Sequence, residues 1–203
     1  MVPMISSVLK PAVTRFIEPV ARIALRLGLT PNLVTIIGST GVLLSAVYFY
    51  PREEYFLGTL VISFFALSDL FDGTMARISH RGASKWGGFL DSTIDRITDS
   101  AITIGILVPL INSDDKLSYV GLVTLVTGLL IPYVRAKAES FGIDCSAGLA
   151  ERTERLVIVL VAVGLEGLGV PFALTFGFWV LAIVGVITVI QRVLIVRAGL
   201  LKQ

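Results

Sequence analysis

The chain has 203 residues, of which 55% are hydrophobic and only 16% are charged. Soluble domains carry about 25% charged residues, and a mean hydropathy of +0.87 is too apolar for a surface that faces water. The composition also excludes an intrinsically disordered chain, and the single cysteine excludes an internal disulfide framework. We therefore expect an integral membrane protein with one domain over residues 1–203.

The first 30 residues precede the long apolar runs and carry a helical charge pattern. Arg15, Glu18, Arg22 and Arg26 recur at helical spacing, and apolar residues fill the opposite face. This pattern is typical of an amphipathic helix that lies in the membrane interface with its arginines near anionic headgroups. A cytosolic helix packed on the protein fits the pattern equally well. Because the segment lacks the features of a cleavable signal peptide, residues 1–30 are expected to remain as a juxtamembrane segment.

Six apolar runs follow, separated by short polar connectors. A helix that crosses the bilayer takes about 20 mainly apolar residues. The predicted spans are Leu33–Tyr50, Tyr55–Ile78, Gly87–Ile111, Leu117–Lys137, Arg155–Val170 and Phe172–Val196. We therefore predict an all-α integral membrane protein with six transmembrane helices and an N-terminal interfacial amphipathic helix.

The distribution of Lys and Arg predicts the orientation of these spans. Six spans place both termini on one side, and fifteen of the seventeen basic residues lie on that side. Only Arg52 and Lys116 lie on the other side. Because basic residues concentrate in cytoplasmic segments, we predict a multi-pass protein of the cell (inner) membrane with both termini in the cytoplasm.

Five carboxylates stand where the second and third spans meet their shared cytoplasmic connector. They are Asp69, Asp72, Asp91, Asp95 and Asp99. A charged group near hydrocarbon costs a few kcal/mol and marks a functional site by default. Spacings of three (Asp69 and Asp72) and four (Asp91 and Asp95) place each pair on one helical face, so we expect the two pairs to face each other.

Four converging carboxylates repel one another unless cations lie between them. Oxygen-only ligands favour hard ions such as Mg²⁺ or Mn²⁺, and two such ions can clamp a diphosphate and activate an attacking oxygen. The structural alternative is that Arg77 and Arg96 form ion pairs with the acids. Asp99 lies one turn further along the same face, where it either supports the site or pairs with a cation.

The arrangement of these acids and their neighbours resembles the signature of the CDP-alcohol phosphatidyltransferase family. The matching residues form the pattern Asp69-x-x-Asp72-Gly73-x-x-Ala76-Arg77, followed by Gly87-x-x-x-Asp91-x-x-x-Asp95. The six spans and the N-terminal helix also match, so the resemblance covers nearly the whole chain. It implies that Asp69, Asp72, Asp91 and Asp95 bind two Mg²⁺ or Mn²⁺ ions at a cytoplasmic active site. It also implies that Asp95 is the general base for attack on the β-phosphorus of a CDP-linked lipid, with CMP as leaving group.

The resemblance also implies a set of contacts to the CDP-lipid. They are Pro31, Asn32, Leu33 and Val34 at the start of the first span, Gly73, Ala76 and Arg77 in the signature, and Ser84 before the third span. The chain departs from the family pattern at one point, because nine residues rather than eight separate Arg77 from Gly87. This leaves open which of Ala83, Ser84 and Lys85 faces the nucleotide. Close helix packing explains the glycines equally well.

A second polar cluster carries positive charge at the same cytoplasmic depth. It contains Arg135, Lys137, Arg152, Arg155 and Arg192. Arginine forks suit a phosphate dianion, so we predict that this cluster binds the phosphate of the acceptor. Pairing with Glu139, Glu151 or Glu154 is the alternative for these cations. For Arg197 and Lys202 we favour the simpler interpretation that they reach the lipid headgroups.

The sequence around this cluster resembles the actinobacterial members of the family that make phosphatidylinositol phosphate. That resemblance implies CDP-diacylglycerol and inositol 1-phosphate as substrates, with glycerol 3-phosphate as the alternative acceptor. Membrane lipids and a second copy of the chain are the other expected partners, and nucleic acid is not. Two other classes use intramembrane acids: Asp-rich prenyltransferases, and ion transporters, whose sites lie near the bilayer midplane.

Overall fold

The computed structural model of the chain describes residues 17–79, 84–146, 148 and 151–201. These residues contain helices and no strand, which confirms the predicted all-α class. The helices are α1 (residues 17–26), α2 (Pro31–Phe49), α3 (Tyr55–Ala66), α4 (Ser68–Ile78), α5 (Lys85–Asn112), α6 (Leu117–Ser140), α7 (Arg152–Gly167) and α8 (Ala173–Leu200). A short 3₁₀ turn (Tyr50–Arg52) follows α2.

Four helical stretches in the described part of the chain are long and apolar enough to cross a membrane. They are Pro31–Arg52, Tyr55–Ile78, Leu117–Ser140 and Ala173–Leu200. The other two predicted spans correspond to α5, whose 28 residues include three of the carboxylates, and to α7, which has only 16 residues. The membrane crossing of α5 and α7 therefore stays a prediction.

The predicted second span is two helices rather than one uninterrupted helix. It breaks at Leu67, where the Leu70 N–H donates to the Leu67 carbonyl three residues back instead of four. The new helix α4 begins with Ser68 and has Asp69 in its first turn, where the helix dipole stabilises a negative charge. The break gives the signature residues their own short helix.

Residues 17–26 are helical, as the charge pattern predicts, while Arg15 and the rest of residues 1–16 lie outside the described residues. The Arg22 Nη2 atom lies 2.6 Å from Glu18 Oε1, one turn away. This helix ends before Gly28, which has a φ of +84°. The interfacial position of α1 stays a prediction.

Small residues let the remaining helices pack closely. Helix α2 contacts α3, α4 and α5, while α7 lies between α3 and α8, and α6 contacts α5 and α8. A side chain on Gly38 would overlap Ser68, and one on Gly105 would lie 2.6 Å from the Ala46 carbonyl. Tyr50 and Phe178 are fully buried in the core between these helices. Close backbone approach at small residues is typical of helix packing in membranes.

Many large apolar side chains point away from this core. Phe64, Phe176 and Leu44 are among the exposed ones. Apolar exposure on this scale exceeds what a monomeric soluble protein carries and suits a surface that faces lipid.

Candidate active site

The start of α2 and the start of α5 lie side by side. The Thr30 hydroxyl accepts from the Leu33 N–H at 3.3 Å and caps α2, and the Ser84 hydroxyl accepts from the Gly87 N–H at 2.9 Å and caps α5. A Cβ on Gly87 would lie 3.0 Å from both Asn32 Oδ1 and Ser84 Oγ. The structure thus brings together Asn32 and Ser84, two of the residues predicted to contact the CDP-lipid. His80, Arg81, Gly82 and Ala83 lie outside the described residues.

The signature residues after Asp72 line up on α4. Arg77 is exposed, and its Nη2 atom donates to Thr74 Oγ1 at 3.0 Å. A Cβ on Gly73 would lie 3.7 Å from Arg77 Nη1, and Ala76 is half-buried. The backbone of α4 is therefore accessible beside an arginine that has no carboxylate partner among the described residues.

Three of the five carboxylates converge on Arg152, the first residue of α7. Its Nη1 atom lies 2.5 Å from Asp69 Oδ2, its Nη2 atom 3.0 Å from Asp95 Oδ1 and its Nε atom 3.3 Å from Asp99 Oδ1. Arg155, one turn later, approaches Asp99 at 4.0 Å. In the described part of the chain, the counter-ions of these acids come from α7. The alternative in which Arg77 and Arg96 are the counter-ions is therefore wrong. The structure also confirms one of the two alternatives for Asp99, which is that it pairs with a cation.

Asp72 points the other way, toward α2. Its Oδ2 atom accepts a 2.5 Å hydrogen bond from Thr35 Oγ1, and both residues are buried. The charges of Asp69 and Asp91 lie close enough to act on Asp72. All four predicted metal ligands are thus grouped at the junction of α2, α4, α5 and α7, although their oxygen atoms are not arranged around one empty point.

A cleft of about 1310 Å³ opens beside this junction, between α5, α6 and α7. Asp95 is the one predicted metal ligand among the residues that line the cleft. Asp99, which is not a predicted ligand, lines it too. Three of the predicted acceptor-phosphate residues, Arg135, Arg152 and Arg155, also line it. Glu139 and Arg96 line it as well, so the cleft combines three carboxylates with four arginines. The arginines suit the phosphate of a phosphorylated alcohol.

The other two predicted acceptor-phosphate residues do not line the cleft. Lys137 is exposed, and its Nζ atom lies 4.7 Å from the centre of the Phe141 ring. Arg192 is buried, and its Nη1 atom donates to the Ile131 carbonyl at 2.7 Å. Arg135, which does line the cleft, also pairs with Glu139 at 2.9 Å, as the ion-pair alternative predicted.

The family model for CDP-alcohol phosphatidyltransferase matches residues 28–191. This range contains the complete signature and every cleft-lining cation. The chain belongs to the CDP-alcohol phosphatidyltransferase family. Membership, together with the apolar helices, makes this an integral membrane enzyme and disfavours the prenyltransferase and transporter alternatives.

Curated relatives within this family carry one functional name. The chain is 43% identical to phosphatidylinositol phosphate synthase of Streptomyces avermitilis, over 91% of this chain and 79% of the relative. It is 40% identical to the protein of the same name from Mycolicibacterium smegmatis, over 93% of this chain and 86% of the relative.

Solved structures of a similar protein have the same fold. Phosphatidylinositol phosphate synthase of Mycobacterium tuberculosis with CDP-DAG bound superposes with a TM-score of 0.84 at 41% identity, covering 90% of this chain and 94% of that chain. The same protein in complex with manganese and citrate gives a TM-score of 0.84 at 40% identity, covering 89% and 88%.

The donor set of the phosphatidyltransferase site fits a hard divalent ion. Carboxylates alone supply the candidate ligands, and hard ions prefer such oxygens. Within the described ranges no group of three or more acidic, histidine or cysteine side chains is already arranged to hold a metal. The guanidinium of Arg152 instead contacts both Asp69 and Asp95. That one cation contacts both residues shows that the two helices can present their carboxylates to a common positive centre.

Thr35 is the site residue that sequence reasoning missed. The predicted CDP-lipid segment ends one residue earlier, at Val34, and Thr35 lies within the predicted apolar span Leu33–Tyr50. A hydroxyl one turn inside a span, at the depth of the carboxylates on neighbouring spans, was the available signal. Its partner Asp72 could not be assigned without knowing how α2 and α4 are placed.

Proposed function

We propose that this protein transfers the phosphatidyl group of CDP-diacylglycerol to inositol 1-phosphate, giving phosphatidylinositol phosphate and CMP. The observation that carries the proposal is the cleft that is lined by Asp95 together with arginines of α6 and α7. Family membership supports the transfer chemistry, and the names of the relatives support the acceptor.

In this reaction Asp95 takes the proton from the acceptor hydroxyl. The hydroxyl oxygen then forms a bond to the phosphorus that carries diacylglycerol, and the bond from that phosphorus to the oxygen of CMP breaks. Asp95 suits this role because it faces both the cleft and the carboxylate junction. A positioned base of this kind contributes about 10²–10⁴-fold.

Asp69, Asp72, Asp91 and Asp95 are the residues that would hold two Mg²⁺ or Mn²⁺ ions. Such ions, when bound, neutralise charge on the diphosphate and so stabilise the transition state. A manganese complex of the Mycobacterium tuberculosis relative supports this ligand class. Thr35 holds Asp72 through its hydroxyl, which leaves the second carboxylate oxygen of Asp72 for the ion.

The nucleotide side of the CDP-lipid is proposed to lie against the starts of α2 and α5 and the end of α4. The segment Pro31, Asn32, Leu33 and Val34 forms the first turn of α2, beside Ser84 and Gly87. Arg77 is exposed at the end of α4, and the backbone at Gly73 is accessible. A relative with CDP-DAG bound supports this substrate.

The acceptor phosphate is proposed to bind Arg135 and Arg155, with Arg152 beside them. All three line the cleft, and Arg155 has a side chain that is only 15% exposed. Charge-assisted bonds from a partly buried arginine are stronger than those from a solvated one. Lys137 and Arg192 remain sequence predictions that the geometry of the cleft does not support.

For the membrane arrangement we propose six spans, α1 in the cytoplasmic interface, and the active site and both termini in the cytoplasm. The bias of basic residues supports this orientation. Cysteine substitutions at the exposed residues Arg52 and Arg197 test it with an impermeant thiol reagent, because the native Cys145 is buried. Labelling at position 52 in intact cells, and at position 197 only after permeabilisation, is the expected result, and the reverse pattern would refute the orientation.

The function is tested with purified, detergent-solubilised protein, CDP-diacylglycerol and four acceptors. The acceptors are inositol 1-phosphate, glycerol 3-phosphate, free inositol and serine, each assayed for CMP release with Mn²⁺, with Mg²⁺ and with a chelator. We expect metal-dependent CMP release with inositol 1-phosphate. Preference for glycerol 3-phosphate would make the protein a phosphatidylglycerophosphate synthase instead, and preference for an unphosphorylated acceptor would contradict the role given to the arginines of the cleft.

A further inference from the structure

Arg152 uses its whole guanidinium group on the carboxylate junction. Its three nitrogens each contact a different carboxylate: Asp69 on α4, and Asp95 and Asp99 on α5. The side chain is only 29% exposed, so solvent screens these contacts less than it would on an open surface. Arg152 is therefore the cation that joins α4, α5 and α7 at this end of the molecule.

Two of these three carboxylates, Asp69 and Asp95, are also proposed metal ligands. A carboxylate oxygen that accepts a guanidinium hydrogen bond at 2.5 or 3.0 Å cannot use the same lone pair for an ion. A divalent ion and the guanidinium would also repel each other at this distance. Arginine does not lose its proton in proteins, so Arg152 cannot make room by becoming neutral.

We propose that Arg152 is an internal competitor of the divalent cations. Its guanidinium bridges Asp69 and Asp95 in the metal-free protein and leaves them when the metal binds. The inference rests on the proposed function in one respect, since it takes Asp69 and Asp95 as metal ligands. The proposal gives Arg152 two roles: it pairs with the proposed metal ligands when the metal is absent, and it is available to the acceptor phosphate when the metal is bound.

The structure offers the displaced guanidinium a place to go. Arg152 lines the cleft as well as a small cavity that Asp69 and Asp99 also line. Arg135 and Arg155 line the same cleft, so movement of Arg152 into it adds a third cation beside the acceptor phosphate. Metal binding would thus prepare the acceptor subsite, and the acceptor would bind after the metal.

The direct test is the Mn²⁺ affinity of the full-length protein in detergent after chelator treatment, measured by the electron paramagnetic resonance signal of free Mn²⁺. We expect Arg152→Gln to bind Mn²⁺ roughly tenfold more tightly than wild type, within the usual range of coupling between two ligands. The matched control is Arg155→Gln, which removes the same charge one turn further along α7. Because Arg155 approaches these acids only at Asp99, at 4.0 Å, its effect should be several times smaller.

Three outcomes would overturn the proposal. One is unchanged or weaker Mn²⁺ binding by Arg152→Gln, which would make Arg152 a support of the metal site. Another is an equal gain in Mn²⁺ affinity in Arg152→Gln and Arg155→Gln, which would mean that the loss of any nearby positive charge has this effect and that the contacts of Arg152 do not matter. The third is the absence of Mn²⁺ binding in wild type and variant alike.

Thermal unfolding gives a second readout that does not depend on activity. In chelator, Arg152→Gln should unfold at a lower temperature than wild type, because three carboxylates lose their counter-ion, and added Mn²⁺ should close the gap. An equal deficit with and without Mn²⁺ would contradict the proposal. If Arg152→Gln does not fold, Arg152→Lys serves in its place, since an ammonium cannot bridge three carboxylates as a guanidinium does, and a smaller tightening is then expected.

These measurements separate the inference from the proposed function. Tighter Mn²⁺ binding by Arg152→Gln in a protein that releases no CMP from CDP-diacylglycerol would uphold the competitor and refute the transferase. Metal-dependent CMP release by the wild type, with no change in Mn²⁺ affinity in Arg152→Gln, would uphold the transferase and refute the competitor.

Discussion

The hydroxyl of Thr35 donates a 2.5 Å hydrogen bond to the carboxylate of Asp72. Thr35 lies one turn after the start of α2, and Asp72 lies in the middle of α4. The bond therefore links the segment proposed to contact the nucleotide with a proposed metal ligand. Both residues are buried, so water does not compete for the bond.

Thr35→Val should impair catalysis by removing the donor to Asp72 while keeping the shape of the side chain. A buried carboxylate that loses its donor costs about 1–3 kcal/mol, and each 1.36 kcal/mol is about tenfold in rate. We expect kcat/KM for CDP-diacylglycerol to fall by roughly tenfold or more in the CMP-release assay. Thr35→Ser retains the hydroxyl and should stay close to wild type. Full activity of Thr35→Val would show that Asp72 needs no such support.

Asp95→Asn should abolish turnover because an amide cannot take the acceptor proton. Binding of CDP-diacylglycerol should persist, since Asp69, Asp72 and Asp91 remain, and this is measured by equilibrium binding of the labelled lipid in detergent. The matched control is Asp114→Asn in the connector between α5 and α6. Asp114 has a φ of +55°, which asparagine also tolerates. Turnover by Asp95→Asn would remove Asp95 from the role of base.

Arg155→Gln should weaken the acceptor more than the donor. The guanidinium lines the cleft and is largely buried, so its loss leaves the acceptor phosphate with one fewer charged donor, worth about 1.5–3 kcal/mol. We expect the KM for inositol 1-phosphate to rise by roughly tenfold or more, with little change for CDP-diacylglycerol. Arg197→Gln, at an exposed position near the end of α8, is the control. Equal effects on both substrates would argue against an acceptor subsite at Arg155.

Gly87→Ala should disturb the junction between α2 and α5. The added Cβ would lie 3.0 Å from Asn32 Oδ1 and from Ser84 Oγ, so one of these side chains must shift. We expect weaker CDP-diacylglycerol binding and a lower Tm, measured by lipid titration and thermal unfolding. The neighbouring Gly88→Ala meets no atom within 4 Å, and because alanine favours helix by up to about 1 kcal/mol, its Tm should rise slightly. If Gly87→Ala and Gly88→Ala have the same Tm, the space between Gly87 and the side chains of Asn32 and Ser84 is wide enough for a methyl group.

Much of the candidate site could be predicted from local spacing. Asp69 and Asp72 lie one helical turn apart, as do Asp91 and Asp95, so the members of each pair had to lie close together once the segment was helical. The structure nevertheless directs Asp69 to Arg152 and Asp72 to Thr35. A short connector between two helices also brings their ends together. The break at Leu67 was not predicted, because an apolar run up to Leu67 followed by Ser68 is compatible with one straight helix.

The counter-ion of the acids could not be predicted in the same way. Arg77 and Arg96 are near the carboxylates in sequence, but Arg77 donates to Thr74 and Arg96 to the Ser92 carbonyl. Arg152 is 53 residues beyond Asp99 and reaches it only because α7 begins beside α5. A charge on a long side chain pairs with whatever tertiary packing places within reach, and sequence distance carries no information on that.

Composition alone determined that the chain belongs in a membrane, since its apolar surface is not stable in water. Helical periodicity alone determined which acids lie one turn apart on the same helix. Only the tertiary structure decided which partner each acid has: Thr35 for Asp72, and Arg152 for Asp69, Asp95 and Asp99. The physical reason is that a side chain's face on its own helix follows from backbone geometry, whereas its partner depends on the rotation and depth of neighbouring helices. Those are set by close contacts such as Ser68 against Gly38 and Gly105 against Ala46.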